Sequence, residues 1–178
     1  MSKTLYLVRH TAPRIAPAIC YGQLDLDVAA SFDAEAQQVL SWLPTAELIL
    51  TSPLLRARKL AEYLARTYGC AWRCDARLME KSFGAWEGKL WDEIERREVD
   101  AWAADVMGYA PPGGESARQL MERVQLLLQD VARLPQESLV MVTHGGIIRA
   151  ALAELGRLPL PATLKWEVAY GAVLAVRL

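Results

Sequence analysis

The stretch Leu5-Tyr6-Leu7-Val8-Arg9-His10 joins a short apolar run to a basic pair that follows it directly. The run is continuous rather than alternating, which is typical of a parallel strand that is covered on both faces. Two further runs of the same kind occur at Leu48–Leu50 and Leu139–Val142. We therefore predict three buried parallel strands, each of which leads directly into polar residues.

Segments with apolar residues at helical spacing lie between and after these strands. We predict helices over Phe32–Leu43, with Ser31 as the N-cap, after Pro53, after Glu115, and over Ile147–Leu155. Strand and helix alternate along the chain, and this order favours an open sheet with helices on both faces. The predicted fold class is therefore α/β, as a three-layer α/β/α arrangement with a mainly parallel sheet.

The pattern is weaker between residues 80 and 114, where glycines and tryptophans are frequent. A short helix is expected near Leu90–Arg97, and we interpret the whole stretch as an insertion that covers the active site at the sheet edge. The tail Leu164–Leu178 favours one or two more strands. Because no linker or repeat divides the chain, residues 1–178 are expected to form one domain.

The composition excludes several classes of protein. The 178 residues include 20 basic and 21 acidic ones, and the net charge of −1 argues against general binding of nucleic acid or anionic membranes. No apolar run approaches the roughly 18 residues of a membrane span. The apolar run at the start is too short for a signal peptide, and the three cysteines suit free thiols. We therefore expect a cytoplasmic protein.

The two histidines of the chain, His10 and His144, each follow a predicted parallel strand directly. A third strand leads into Ser52 and then into a helix that carries Arg56 in its first turn. Ligands of open α/β sheets bind outside the carboxyl ends of the strands. We therefore expect these four residues and Arg9 to share one site.

The chemistry of this set points to a phosphoryl group. Two guanidinium groups, an imidazole and the amides of a helix start at Gly145 and Gly146 suit a dianionic ligand. A neutral imidazole is also a nucleophile, and nearby arginines disfavour its protonated form. A leaving alkoxide would still need a proton from a carboxylic acid.

Five short motifs stand in order along the chain. They are Leu7–Thr11, Thr51–Ala57, Leu78–Gly88, Pro112–Ser116 and Val142–Gly146. Together they resemble the histidine phosphatase superfamily, which includes the cofactor-dependent phosphoglycerate mutases. The resemblance implies a phosphoglycerate mutase-like fold and a phosphatase that needs neither a metal nor another cofactor.

The resemblance also implies roles for individual residues. His10 would be the nucleophile that becomes phosphorylated, and Arg9, Arg56 and His144 would hold the phosphoryl group. Glu80 would act as the general acid and then as the base for the attacking water.

Glu87 is a rival for the role of the acid. Glu80 is preferred because it occupies the Leu-x-Glu position that carries this role in the superfamily, while Glu87 is expected to order the loop. Glu115 and Ser116 are expected to cap the following helix.

The sequence departs from the superfamily pattern at several positions. Many members place an asparagine shortly after the histidine of the first motif, whereas this chain contains no asparagine and has Pro13 and Pro17 in that loop. Lys81 stands where an apolar or acidic residue is common. These departures leave the phosphoryl chemistry intact and put the usual substrate in doubt.

The stretch Ile19–Asp25 resembles an α-ribazole phosphatase-like subgroup, which implies α-ribazole 5′-phosphate, from cobalamin biosynthesis, as a substrate. Tyr21, Phe83 and Trp86 would then offer aromatic faces to a base, although ordinary packing explains them equally well. A small phosphomonoester is the expected partner, and the chain is expected to be a monomer or a homodimer. The expected substrate-binding residues are Thr11, Tyr21, Gly22, Gln23 and Gly145.

Three alternatives stay open at this point. The same residues suit a phosphoglycerate mutase-type phosphoryl transfer if water is excluded and the histidine is reloaded. A metallohydrolase would use His10, His144 and Glu80 as ligands. A non-enzymatic module that binds phosphorylated ligands would use the site without turnover. The presence of both His10 and Glu80 disfavours a module without turnover. The chain is shorter than typical mutases and lacks their asparagine, which favours hydrolysis over mutase-type transfer.

Overall fold

The computed structural model describes residues 3–178, so the first two residues of the predicted domain lie outside it. Within this range the sheet has five strands in the order β3-β2-β4-β1-β5. All pairs formed among β1, β2, β3 and β4 are parallel, whereas the pair of β5 with β1 is antiparallel. The strands are β1 (Thr4–Arg9), β2 (Leu48–Thr51), β3 (Ala71–Cys74), β4 (Ser138–Thr143) and β5 (Val173–Arg177).

Helices cover both faces of this sheet. Apolar residues of α1 and α2 pack on one face, and those of α4, α5 and α6 pack on the other. The predicted three-layer α/β/α fold with a mainly parallel sheet is thus confirmed. In the described part of the chain the helices are α1 (Phe32–Trp42), α2 (Leu55–Tyr68), α3 (Arg96–Ala104), α4 (Ala117–Arg133), α5 (Gly145–Leu155) and α6 (Leu160–Thr163).

The central strand β4 shows why the predicted strands read as continuous apolar runs. Leu139 and Met141 belong to the core beneath α4 and α5, whereas Val140 and Val142 belong to the core beneath α1 and α2. Because successive side chains point to opposite faces, a strand covered on both sides has no polar positions in its interior.

The three predicted strands and four main predicted helices are confirmed, and their predicted ends differ from the observed ones by at most two residues. Strand β3 was not predicted, because all four of its residues are exposed and it carries no buried apolar pattern. The tail forms a single strand, β5, preceded by the short helix α6. Ser31 does precede α1, but its hydroxyl donates to the carboxylate of Glu35 and does not cap the helix.

The predicted helix over Leu90–Arg97 is wrong. A short 3₁₀ turn covers Trp91–Glu93, and the chain is extended at Ile94 before α3 begins at Arg96. The carboxylate of Glu93 accepts the N–H of Leu90 over 3.0 Å, which caps the start of this turn.

Region 80–114 has an apolar cluster of its own, separate from the two cores of the sheet. Cys20, Trp86 and Ile94 are buried at its centre. The rings of Trp91 and Trp102 stack with their centroids 6.2 Å apart. The aromatic residues of this region therefore pack largely against one another.

Candidate active site

The register of the sheet places the two histidines side by side. Arg9 pairs with Thr143 as the last residue of β1 beside the last of β4, and the N–H of His10 donates to the carbonyl of Thr143 over 2.9 Å. Both imidazoles are buried, and their ring centroids lie 4.9 Å apart. Adjacent parallel strands that end at one level therefore bring together residues 134 positions apart in sequence.

Ser52 follows strand β2 directly and lies beside His144. The N–H of Ser52 donates to the carbonyl of Val142 over 3.1 Å, and its Oγ lies 2.8 Å from Nε2 of His144. The same Oγ accepts the N–H of Leu54 over 3.3 Å and can donate its own proton to Nε2. When Ser52 donates to Nε2, the proton of neutral His144 is on Nδ1, an atom that is buried without a partner in the described chain.

The contacts of His10 fix its tautomer. Nδ1 lies 2.6 Å from the carbonyl oxygen of Thr11, which can only accept, so Nδ1 carries the proton and donates it. Nε2 receives a hydrogen bond from Nε of Arg56 over 3.3 Å. The lone pair of His10 is therefore on Nε2 and faces a guanidinium group.

Arg56 is fully buried in the first turn of α2. Its two terminal nitrogens donate to the carbonyl oxygens of Leu24 over 2.6 Å and of Gly22 over 2.7 Å. Both acceptors are neutral, so no carboxylate hydrogen-bonds to the guanidinium. The positive end of the helix dipole adds to this charge, which favours an anion at the site.

Arg9 supplies the second guanidinium group. Its Cζ lies 4.0 Å from the ring centroid of Tyr170, and one terminal nitrogen donates to the carbonyl of Val168. Its Nε is buried without a partner. The stacked ring and the carbonyl fix the plane of the group and leave the N–H of Nε without an acceptor.

The pKa values of both histidines lie well below their ordinary range. Burial is the main cause for each, and the positive charge of Arg56 lowers both further. Arg9 acts in the same direction on both rings. Both imidazoles are therefore neutral at pH 7, and Nε2 of His10 keeps its lone pair.

Three buried polar atoms around this centre have no partner in the described chain. They are Nε of Arg9, Oγ1 of Thr11 and Nδ1 of His144. Buried polar atoms normally form hydrogen bonds, and an unpaired one costs about 1–3 kcal/mol. A tetrahedral anion beside His10 offers the acceptors that these atoms lack.

Glu80 approaches the site from the segment that precedes the aromatic cluster. One carboxylate oxygen accepts the N–H of Gly146 over 3.0 Å, and the other accepts the N–H of Lys81 over 2.9 Å. A Cβ on Gly146 would collide with this carboxylate. Glycine at the second position of α5 is thus required for the close approach of Glu80.

A second group of contacts holds the backbone of Glu80. Its carbonyl accepts from Nε2 of Gln23 over 2.8 Å and from a terminal nitrogen of Arg123 over 3.1 Å. Arg123 forms a two-point ion pair with Glu115, with distances of 2.6 and 3.1 Å. Sequence reasoning missed Arg123, because only the folded chain brings α4 against this segment.

Glu87, the rival acid, contacts the backbone of the loop through one carboxylate oxygen. Its Oε1 accepts the N–H groups of Phe83 over 2.8 Å and of Gln23 over 3.1 Å. A Cβ on Gly22 would collide with the same oxygen, and the positive φ of +34° at Gly22 also favours glycine there. These contacts occupy the carboxylate with backbone amides.

Two tyrosines lie against the histidine and the arginines. The hydroxyls of Tyr21 and Tyr170 are 3.0 Å apart, and the ring of Tyr170 is 5.6 Å from that of His10. Cζ of Arg56 lies 5.2 Å from the ring centroid of Tyr21. Burial raises the pKa of Tyr21 to about 12, so its hydroxyl keeps its proton. Sequence reasoning missed Tyr170, which no motif marks.

The other expected substrate-binding residues also lie here. Thr11 is fully buried, and Gly145 begins α5 directly after His144. A Cβ on Gly145 would lie 3.3 Å from a nitrogen of Arg149, so the space there is narrow. Ser116 caps α4 by accepting the N–H of Gln119 over 3.2 Å, as predicted.

The described range was expected to lack a metal site, and its potential metal ligands are scattered. Among residues 3–178, no three histidine, cysteine, aspartate or glutamate side chains come together to hold a metal ion. Within the same range, no helix combines the length and apolar character needed to cross a membrane.

Fold and sequence together define a phosphatase. The profile of the histidine phosphatase superfamily, branch 1, matches residues 5–178. The chain belongs to this superfamily, and the predicted resemblance is confirmed.

Relatives by sequence include both hydrolases and mutases. A Hydrogenobacter thermophilus protein with the provisional name phosphoserine phosphatase 2 is 31% identical over 159 residues, which cover 86% of this chain and 78% of that protein. A Klebsiella pneumoniae protein with the provisional name phosphoglycerate mutase GpmB is 32% identical over 163 residues, which cover 87% of this chain and 75% of that protein.

Solved structures agree on the fold. A mycobacterial glucosyl-3-phosphoglycerate phosphatase is similar over 99% of this chain and 91% of its own, with a TM-score of 0.86 and 26% identity. An Escherichia coli protein provisionally described as an α-ribazole-5′-P phosphatase matches over 99% of this chain and 91% of its own, with a TM-score of 0.91. At 22% identity, the latter supports the fold alone.

Proposed function

We propose that this chain hydrolyses a small phosphomonoester through a phosphohistidine on Nε2 of His10, without a metal ion. The observation that carries this proposal is the buried, neutral His10, whose Nε2 lone pair faces the guanidinium of Arg56. An imidazole held in this tautomer is ready to attack phosphorus.

In the first step, the lone pair of Nε2 forms a bond to phosphorus while the bond to the leaving oxygen breaks. The proton of the Glu80 carboxyl passes to that oxygen, so the alcohol leaves as a neutral molecule. Arg9 and Arg56 balance the charge on the phosphoryl oxygens, and the unpartnered Nδ1 of His144 donates to one of them.

In the second step, the Glu80 carboxylate takes a proton from water as the water oxygen attacks phosphorus. The bond between phosphorus and Nε2 breaks, inorganic phosphate leaves, and His10 and protonated Glu80 are restored. The hydrogen bond from Nδ1 of His10 to the carbonyl of Thr11, 2.6 Å long, holds the ring in place through both steps.

Hydrolysis is favoured over mutase-type transfer by the residues of the chain itself. The chain lacks asparagine altogether, including the one that many superfamily members place after the first motif. The relatives' names include phosphatases and also a phosphoglycerate mutase, so the missing asparagine carries this preference.

The substrate is a separate question, and α-ribazole 5′-phosphate is one candidate. The resemblance of Ile19–Asp25 to the α-ribazole phosphatase-like subgroup supports it. Phosphoserine, 3-phosphoglycerate and glucosyl-3-phosphoglycerate are candidates from the relatives' names.

A screen of these four compounds in the presence of a chelator tests the proposal. We expect release of inorganic phosphate from at least one compound at a rate that the chelator does not change. Activity that vanishes with the chelator and returns with zinc would contradict the metal-independent mechanism. Conversion of 3-phosphoglycerate to its 2-isomer without phosphate release would favour the mutase reaction.

A further inference from the structure

A cavity of about 240 Å³ lies next to Glu80. Glu80 and Gly146 form part of its lining, and Phe83, Trp91 and Trp102 contribute aromatic walls. A general acid must reach the oxygen that leaves, so the leaving group emerges beside Glu80. This cavity is therefore the place for the part of the substrate beyond the phosphate.

One side chain in the lining of this cavity is unusual. Lys81 is 7% exposed, and its Nζ is buried without a hydrogen-bond partner. Nζ lies 4.8 Å from the ring centroid of Phe83 and 5.8 Å from that of Trp102. A lysine ammonium has three donors, and contact with aromatic rings replaces only part of the hydration lost on burial.

The nearby carboxylates do not supply the missing partner. Glu80 accepts two backbone N–H groups, and Glu115 is paired with Arg123. Burial lowers the pKa of Lys81, while the charges of Glu115 and Glu80 oppose that shift and favour the ammonium form. The charge of Lys81 is thus held close to the cavity without a direct ion pair.

The walls around Lys81 do not call for a charge. An apolar side chain would suit the aromatic lining of Phe83 and Trp102 without an unpaired charge. A buried ammonium group that has no hydrogen-bond partner within the protein costs free energy and points to a ligand group outside the protein.

We propose that Lys81 is a specificity residue that binds a carboxylate on the leaving group of the substrate. This inference rests on the proposed function, since the leaving group is defined by cleavage at the phosphate. The lysine side chain would turn from the rings of Phe83 and Trp102 toward the carboxylate, and the aromatic walls would pack against the substrate's carbon skeleton.

Two matched substrates test this inference, 3-carboxyphenyl phosphate and 3-carbamoylphenyl phosphate, which differ in charge at nearly constant shape. The measured quantity is the ratio of their kcat/KM values in the wild type and in Lys81→Met. The intrinsic difference between the two leaving groups cancels when the ratios of the two enzymes are compared. Lys89→Met is the matched control, because Lys89 is an exposed lysine of the same region.

We expect the preference of the wild type for the carboxylate to fall by about tenfold or more in Lys81→Met, since a hydrogen bond to a charged group is lost. The change should appear mainly in KM, because the contact is made in both ground and transition states. Lys89→Met should keep the wild-type ratio. A ratio in Lys81→Met within twofold of the wild type would overturn the inference.

The proposed function and the role of Lys81 are overturned by different results. A wild type that cleaves neither compound and no compound of the substrate screen would overturn the proposed function, and the inference with it. If Lys81→Met does not fold, inhibition of the wild type decides: 3-hydroxybenzoate should inhibit at least tenfold more tightly than 3-hydroxybenzamide. Equal inhibition by the two would overturn the role of Lys81.

Discussion

Nε of Arg56 donates a hydrogen bond to Nε2 of His10 over 3.3 Å, so a buried cation faces the lone pair of a buried base. Burial is the main cause of the low pKa of this imidazole, and the charge of Arg56 lowers that pKa further. The contact also places the guanidinium beside Nε2, where a phosphoryl group would be bound. The pair also links α2 to the end of β1, two elements that are separated by more than 40 residues in sequence.

Replacement of Arg56 by lysine tests this relationship. Lysine keeps the charge but loses the planar group that reaches the carbonyls of Leu24 and Gly22 as well as His10. We expect kcat/KM to fall by about a hundredfold or more in steady-state assays, as for removal of one oxyanion donor. Arg58→Lys, on the same helix with a half-exposed side chain, is the control and should stay within about threefold. Equal activity of the two variants would refute the role of Arg56.

Replacement of Glu80 by glutamine tests the acid. We expect kcat for an alkyl phosphomonoester to fall by about 10²- to 10⁴-fold, and that for p-nitrophenyl phosphate to fall much less, because a good leaving group needs no proton. Steady-state kinetics on both substrates measure the difference. Equal losses on both would show that Glu80 does not protonate the leaving group.

Glu87→Gln is the matched variant for this comparison. Its carboxylate accepts the N–H groups of Phe83 and Gln23, so we expect a loss of stability with little dependence on the leaving group. If Glu87→Gln rather than Glu80→Gln showed the leaving-group dependence, the two assignments would have to be exchanged.

The ion pair of Arg123 with Glu115 is expected to position Glu80 through its backbone carbonyl. In Arg123→Met, kcat should fall more for an alkyl substrate than for p-nitrophenyl phosphate. The dependence of kcat on the leaving group should have the same direction as in Glu80→Gln and a smaller size. A double-mutant cycle with Glu115→Gln, measured by urea unfolding, should give a coupling free energy of about 0.5–3 kcal/mol. A merely structural role would lower stability without any dependence of kcat on the leaving group.

The two buried histidines predict a pH dependence of stability. Their folded-state pKa values lie well below the value of about 6.5 expected in the unfolded chain. At a pH between the folded-state and unfolded-state pKa values, the unfolded state therefore binds more protons than the folded state. The free energy of unfolding is therefore at its full value above about pH 7.5. It decreases as the pH is lowered below about 6.5, because protonation then favours the unfolded state. The slope is up to about 1.4 kcal/mol per pH unit for each histidine.

Urea unfolding at pH 7.5, 6.0 and 5.0 measures this effect. His144→Gln removes one of the two groups and should show a shallower decline than the wild type. A free energy of unfolding that stays constant from pH 7.5 to 5.0 would contradict the depressed pKa values.

The sequence was informative where the chemistry depends on the ends of buried strands. His10 and His144 could be placed together in advance, because continuous apolar runs identify parallel strands and parallel strands share one carboxyl edge. The closeness of Arg9 and Arg56 followed from the same argument. The resemblance to the superfamily then supplied expected roles that strand geometry alone does not give.

Other contacts could not be foreseen, because they depend on how distant segments pack. Tyr170 stacks on Arg9 from the loop before β5, and Arg123 reaches the backbone of Glu80 from the second turn of a long helix. Neither residue belongs to a motif or an unusual local pattern. The exposed strand β3 was missed for a related reason, since an edge strand without a buried face has no apolar signal.

Chemical trapping of the intermediate tests the central claim most directly. A ³²P-labelled substrate is mixed with the enzyme, the reaction is quenched in base within milliseconds, and the labelled peptide is identified by mass spectrometry. We predict a base-stable, acid-labile phosphoryl group on His10 that forms and decays at rates compatible with turnover and is absent from His10→Ala. Full turnover by His10→Ala, or a label on any other residue, would contradict the account.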